Sequence, residues 1–212
     1  MFISFEGIEG SGKSTQIQLV SDYLNSKSYK VVQTFEPGAT AFGASIRRLL
    51  LDPDTVLKDS YSELLLFLSD RLEHLKQVVE PALAKGSIVL TDRFTDSTLA
   101  YQLGGRQLEE KQVRTLLSCI PIEPDLTFLL DSNPYEGLRR AKSRAALDRF
   151  EQENIEFHHR VRNTFLSIAK DNDSRVVTIN VDGISIEDVF EEIKGVLNNR
   201  LNSKGESNES NC

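Results

Sequence analysis

Gly7–Thr15 reads GIEGSGKST and directly follows the apolar run Phe2–Phe5, FISF. The spacing G-x-x-x-x-G-K-[ST] falls on Gly7, Gly12, Lys13 and Ser14, with Ile8, Glu9, Gly10 and Ser11 at the variable positions and Thr15 next. Glycines in such a loop let the backbone curl until successive N–H groups point inward. Lys13 then reaches the β- and γ-phosphates of a nucleotide, and Ser14 is placed to ligate magnesium. A strand before the loop and a helix after it are what the pattern requires, and the helix adds its positive dipole end. The loop by itself serves switches, motors and kinases alike. No guanine-reading N-K-x-D segment occurs in the chain, which removes the GTPase switches.

Outward from the loop, short runs rich in Val, Ile, Phe and Thr recur at 2–5, 31–35, 87–91, 126–130 and 175–179. Their near-continuous hydrophobicity suits a parallel sheet covered on both faces. Amphipathic stretches lie between them, at 13–26, 41–51, 61–84, 107–118, 134–144 and 151–169, with a last one at 185–201. Strands alternating with helices imply right-handed crossovers and a three-layer α/β/α fold. One domain is expected over 1–202, followed by a polar tail, SKGESNESNC at 203–212, with the composition of a disordered segment.

The 212 residues are 39% hydrophobic and 27% charged, the balance of an ordinary globular protein. The two cysteines, Cys119 and Cys212, form no framework and no metal spacing, so a reducing, cytoplasmic setting is expected, with Cys119 in the core. His74, His158 and His159 likewise carry no metal-ligand spacing. No apolar run approaches the ~18 residues of a membrane span. The net charge of −7 argues against general affinity for nucleic acid or an anionic membrane.

Two segments supply candidates for a second substrate. Glu36-Pro37-Gly38 begins EPGAT just past the second strand, where it reads as a fixed turn and on its own as no more than that. DRFTDSTLAYQLGGR runs from Asp92 to Arg106 after the third strand. Asp92 closes a buried run at a strand's carboxyl end, where open α/β sheets bind ligands, and is suited to hold magnesium or its waters. Arg93 is suited to an acceptor phosphate. The competing reading is a helix cap followed by a surface arginine.

Taken in order, FEGIEGSGKST, EPGAT, DRFTDSTLAYQLGGR and PDLTFLLD closely resemble the bacterial thymidylate kinase family, from about Phe2 to Ala169. The resemblance implies a P-loop nucleoside-monophosphate kinase fold with a five-stranded parallel sheet, usually a homodimer. It implies transfer of the γ-phosphate of ATP to dTMP, giving dTDP for dTTP synthesis, with Mg2+. It places Glu9 on the deoxyribose 3′-hydroxyl, and Arg93 with Arg47 on the 5′-phosphate, with adjacent Arg48 competing for the Arg47 role. Glu36 and Pro37 fall on the same acceptor side. By periodicity alone, Phe67 is core and Arg71 solvated, beside an apolar stripe of Leu64, Leu68, Leu72 and Leu75. The resemblance reverses that, putting Phe67 on the thymine face and Arg71 on a base oxygen. Ser97, Thr98, Tyr101 and Gln102 would line the same pocket.

RRAKSRAALDRFE, 139–151, concentrates Arg139, Arg140, Lys142, Arg144 and Arg149 in an acidic protein. A charge run is usually a solvated helix face. In the resembled family this segment is a lid over ATP, and members without an arginine in the phosphate loop supply it from there. Ile8, Glu9, Gly10 and Ser11 include none, so Arg144 is expected to serve, supported by Arg140 and Arg149 on ATP. Ala39, Phe94 and Lys142 depart from the family's common Gly, Tyr and Arg. Two other readings remain: a kinase acting on thymidine itself, and a regulatory module that binds ATP without turnover.

Overall fold

The computed structural model describes residues 1–143 and 146–209. Its strands are β1 (Phe2–Glu6), β2 (Val31–Phe35), β3 (Ile88–Asp92), β4 (Leu126–Asp131) and β5 (Val176–Asn180). They form one sheet in the order β2-β3-β1-β4-β5, and every pairing is parallel. The helices are α1 (Lys13–Ser26), α2 (Ala41–Leu51), α3 (Ser60–His74), α4 (Glu80–Ala84), α5 (Thr95–Thr98), α6 (Glu110–Leu117), α7 (Pro134–Lys142), α8 (Ile155–Asp171) and α9 (Ile186–Glu209). A π-helical turn, Leu75–Val79, joins α3 to α4, and a second, Leu99–Gly105, continues α5.

Alternation along β1 divides its side chains between two covered faces. Ile3 and Phe5 pack with Ile17, Val20 and Leu24 of α1 and with Val189 and Ile193 of α9. Phe2 faces the other way, against Leu75, Val79 and Phe94. Each such side chain contributes roughly 1.5–3 kcal/mol on burial, so covering both faces makes the sheet the rigid part of the molecule. The same alternation sends Glu6, at the carboxyl end of β1, to the face of Phe2. β1 pairs with β3 on one side and β4 on the other, so the chain diverges at this end of the sheet. That divergence opens the crevice where α/β sheets hold ligands.

Each expected strand is found within a residue of its expected ends, whereas several other expectations fail. DRFTDSTLAYQLGG was expected as a motif without an element and is helical through α5 and the second π turn. Its polar start and paired glycines hide a helix that tertiary fit imposes. A Cβ on Gly105 would lie 2.5 Å from the Phe157 ring, and one on Gly104 2.1 Å from Thr164 Oγ1. Cys119 is exposed rather than core, because it sits in the turn after α6, a helix whose one buried side chain is Val113. Leu72, expected in the apolar stripe of α3, is exposed, while Asp70, Arg71 and His74 of the same helix are buried. α9 spans Ile186–Glu209.

Candidate nucleotide site

A cavity of about 620 Å³ opens at the carboxyl ends of β1, β2 and β3. The phosphate loop forms its floor, with Gly7, Gly10 and Gly12 at φ of 136°, 69° and 94°. A Cβ on Gly7 would lie 2.4 Å from Leu130 O, and one on Gly10 2.0 Å from Gly137 O. Gly137, in the first turns of α7, is equally confined, since its Cβ would fall 2.4 Å from Glu9 O. The loop is therefore clamped between β4 and α7 by backbone contact. α1 begins at Gly12 with no side-chain cap, unlike α2, which Thr40 caps, and α7, which Asn133 caps. Its first N–H groups are left to an anion.

Lys13 is buried, and its Nζ donates to Gly7 O at 3.1 Å and Ile8 O at 2.9 Å. Burial, with the Arg93 cation nearby, pushes its amine down to about 8 against the pull of Asp92 and Glu9. Ser14 Oγ donates to Asp92 Oδ2 at 3.1 Å. The pair presents hard oxygen donors at the mouth of the loop, the chemistry that suits magnesium sharing its shell with phosphates and waters. Among the described residues no group of three or more His, Cys, Asp or Glu is arranged as a metal cage.

Across the loop, polar side chains are wired together in the protein interior. Arg71, 2% exposed, donates from Nε to Glu36 Oε2 at 2.6 Å, from Nη1 to Thr98 Oγ1 at 2.7 Å and from Nη2 to Phe94 O at 2.9 Å. His74 Nδ1 lies 2.8 Å from Glu36 Oε1, and its Nε2 lies 2.6 Å from Thr34 Oγ1. Asp70 accepts from Gly38 N at 3.0 Å, and burial, then the Glu36 charge, raises its carboxyl to about 6. Neighbouring Arg47 donates to Pro37 O at 2.7 Å. Much of the buried polar stripe of α3 is thus paired with the Glu36–Gly38 turn. Such a turn–helix pairing is invisible to helical periodicity.

Arg93 has a φ of 72°, a left-handed conformation that costs a non-glycine residue about 1–3 kcal/mol and persists only when its surroundings hold it. Its Nη1 donates to Gly7 O at 3.0 Å and Ser97 Oγ at 3.1 Å, and its Nη2 to Glu9 Oε1 at 3.2 Å and Tyr101 Oη at 3.1 Å. Tyr101 Oη in turn donates to Glu9 Oε1. Burial would lift the Glu9 carboxyl, but His158, Arg93 and Tyr101 outweigh it and hold it down at about 2. Behind Arg93, Glu6 accepts from Phe94 N at 2.7 Å and from Ser97 Oγ at 2.5 Å. Burial and then the Asp96 charge raise its carboxyl to about 7. Ser97 thus donates its proton to Glu6 and accepts from Arg93.

Most expected site residues meet in this one cavity. Its lining includes Glu9, Lys13, Ser14 and Asp92 on the loop side, and Glu36, Arg47, Phe67, Arg71, Arg93 and Gln102 opposite. Gly10, Gly12, Thr15, Pro37, Ser97, Thr98 and Tyr101 line it as well. Gly7, Ile8 and Ser11 belong to the loop beneath. The described lid arginines do not line it. Arg140 lies 3.8 Å from Asp182 at the surface, and Arg139 pairs with Glu136 at 2.8 Å on its own helix. Arg149, expected on ATP, instead donates to Leu50 O and to Glu63 Oε2, both at 2.8 Å, because a buried carboxylate on α3 draws it inward. Arg144 lies outside the described residues.

Several participants lie outside the residues expected at the site. Glu63, 1% exposed, gathers Arg149, Arg106 (3.0 and 3.1 Å) and Gln102 Nε2 (3.0 Å), tying the lid's root to α3 and the second π turn. Phe150 lines the cavity with its ring 5.8 Å from both Phe67 and Tyr101. The residues GGR in the acceptor motif contained the clue to Arg106. Glu63 gave none, since a glutamate in the first turn of a helix ordinarily serves the helix dipole.

A parallel sheet with a phosphate loop beneath its switch point has the P-loop NTPase α/β fold. An arginine-lined pocket faces that loop, chemistry suited to a second phosphorylated ligand. The family model described as thymidylate kinase matches residues 5–193, and the chain belongs to that family, whose members phosphorylate dTMP to dTDP. It is 45% identical over 211 residues to a thymidylate kinase of Pelobacter propionicus, covering 95% of this chain and 96% of that one. It is also 45% identical over 199 residues to one of Carboxydothermus hydrogenoformans, covering 92% and 96%. The crystal structure of thymidylate kinase from Ehrlichia chaffeensis superposes with a TM-score of 0.76 at 38% identity, over 93% of this chain and 98% of that one.

Proposed function

We propose that this chain transfers the γ-phosphoryl group of ATP to dTMP, giving dTDP and ADP, within one catalytic domain spanning 1–202. The carrying observation is that the loop holding Lys13 shares a cavity with a prewired pocket built on Arg71 and Arg93. ATP lies with its phosphates on the loop from Gly7 to Thr15 and on the open N-terminus of α1. Lys13 turns from the loop carbonyls to the β- and γ-phosphates. The thymine stacks on Phe67 with Arg71 at a base oxygen, and Ser97, Thr98, Tyr101 and Gln102 enclose base and sugar beside Glu36 and Pro37. Glu9 faces the 3′-hydroxyl, while Arg93 and Arg47 hold the 5′-phosphate.

An oxygen of that 5′-phosphate attacks the γ-phosphorus in line as the bond to the β-phosphate oxygen breaks, and ADP leaves. No covalent enzyme intermediate is required, because positioning and fixed cations supply most of the acceleration in phosphoryl transfer. Ser14 and Asp92 would hold Mg2+, which would supply positive charge against that of the phosphates. Arg144 adds a cation from the lid, with Arg140 nearer the nucleotide's rim. The exposed apolar side chains Leu49, Leu65 and Leu72 on α2 and α3 support a homodimer. No helix among the described residues is long and apolar enough to cross a membrane, and the cysteine usage supports a cytoplasmic setting.

Coupled ADP release with dTMP, thymidine, dUMP, dCMP or no acceptor tests the reading. Turnover is expected with dTMP and requires magnesium. Turnover with thymidine but not dTMP overturns it, as does ATP binding without turnover on any acceptor.

A further inference from the structure

His158 lies on α8, is fully buried and does not line the cavity. Neither of its ring nitrogens has a hydrogen-bond partner among the described residues, and the same is true of Glu9 Oε2. The two groups face each other, with Nδ1 of His158 3.5 Å from Glu9 Oε2. An imidazole taken out of water without a partner is costly, so each is the other's main compensation. The helix that carries the buried ring is closely seated: a Cβ on Gly105 would stand 2.5 Å from the ring of the neighbouring Phe157, and one on Gly104 2.1 Å from Thr164 Oγ1.

The two edges of the Glu9 carboxylate thus differ. Oε1 takes Arg93 and Tyr101, both cavity residues, and is the edge presented to a ligand. Oε2 is buried and turned to His158. A carboxylate on two side-chain torsions keeps its presented edge in place only if the hidden edge is held. We propose that His158 is a positioning residue for sugar recognition, pinning the buried edge of Glu9 so that the other edge accepts the acceptor's 3′-hydroxyl. This rests on the reading that Glu9 faces that hydroxyl.

The test compares kcat/KM for dTMP and for its 3′-deoxy analogue in the wild type, His158→Phe and His158→Gln. The wild type is expected to prefer dTMP. His158→Phe keeps a planar ring and removes both nitrogens, and is expected to cut that preference roughly tenfold, a sizeable part of a charge-assisted hydrogen bond. His158→Gln restores a donor and most of the preference. If the aromatic variant does not fold, His158→Met serves the same comparison. A wild-type preference that these apolar variants leave intact, with both substrates slowed alike, means a purely structural histidine and overturns the inference alone. Equal kcat/KM for the two substrates in the wild type overturns the Glu9 reading and this inference with it.

Discussion

Around Arg71, three guanidinium nitrogens meet three acceptors, and the receiving Glu36 is itself shared with His74. Around Lys13, the amine rests on two loop carbonyls, and the described lid arginines face Glu136, Asp182 and Glu63 instead. The Arg71 side of the cavity, proposed for the acceptor, has its guanidinium fully paired within the protein; on the Lys13 side, proposed for the donor, the described lid arginines pair away from the cavity. The difference has a physical basis. Discriminating one base from another requires buried polar groups already in place, since a wrong partner leaves them unpaired. Stabilising a transferred phosphoryl requires cations that close on it, and closure also excludes water.

The largest test of that division lies in the lid. Arg144→Ala is expected to lower kcat by ~10³–10⁵ with little change in KM for dTMP, read by steady-state ADP release. Near-normal turnover in Arg144→Ala beside a collapse in Arg149→Ala would transfer the donor role to the lid's root. Next in size, Arg71→Leu leaves Glu36 without its guanidinium and is expected to cost about 3–5 kcal/mol of stability, measured by urea unfolding. A small loss there would mean the acceptor half is less preorganised than its geometry implies.

A third experiment uses pH. Glu6 titrates at about 7 in the folded protein against 4.5 for an ordinary carboxyl. The folded state therefore binds the extra proton between these values. Its contribution is complete below pH 4.5 and is lost as pH rises through 7. The stability difference between wild type and Glu6→Gln should fall by about 3 kcal/mol from pH 4.5 to pH 8. A pH-independent difference would show that Glu6 does not carry the proton. Smallest of the four, Arg149→Ala is expected to cost about 1–3 kcal/mol of stability and to leave KM for ATP within roughly twofold, since its partners are Leu50 and Glu63. A raised KM for ATP without a shift in Tm would return Arg149 to the donor half.

Much of the molecule follows from local sequence. The apolar runs of β1 to β5 and the loop from Gly7 to Ser14 are contiguous signals, and strand length, loop geometry and helix start follow from short-range sterics and periodicity. Asp92 and Arg93 were legible for the same reason, standing where a buried strand ends. Glu9 was legible as a loop position, but its role came with the whole set of motifs. Tertiary structure alone decided which polar residues are buried. Arg71 and His74 on α3 are interior because the Glu36–Gly38 turn meets them, while Leu72 of the same helix is left exposed within the chain. Glu63 went unmarked in the sequence, and His158 showed only its lack of metal-ligand spacing, for the same reason: each has its partner on another element, across contacts that no period of 3.6 or 2 encodes. Local order was written in spacing, whereas the wiring of the site depended on where separate segments met.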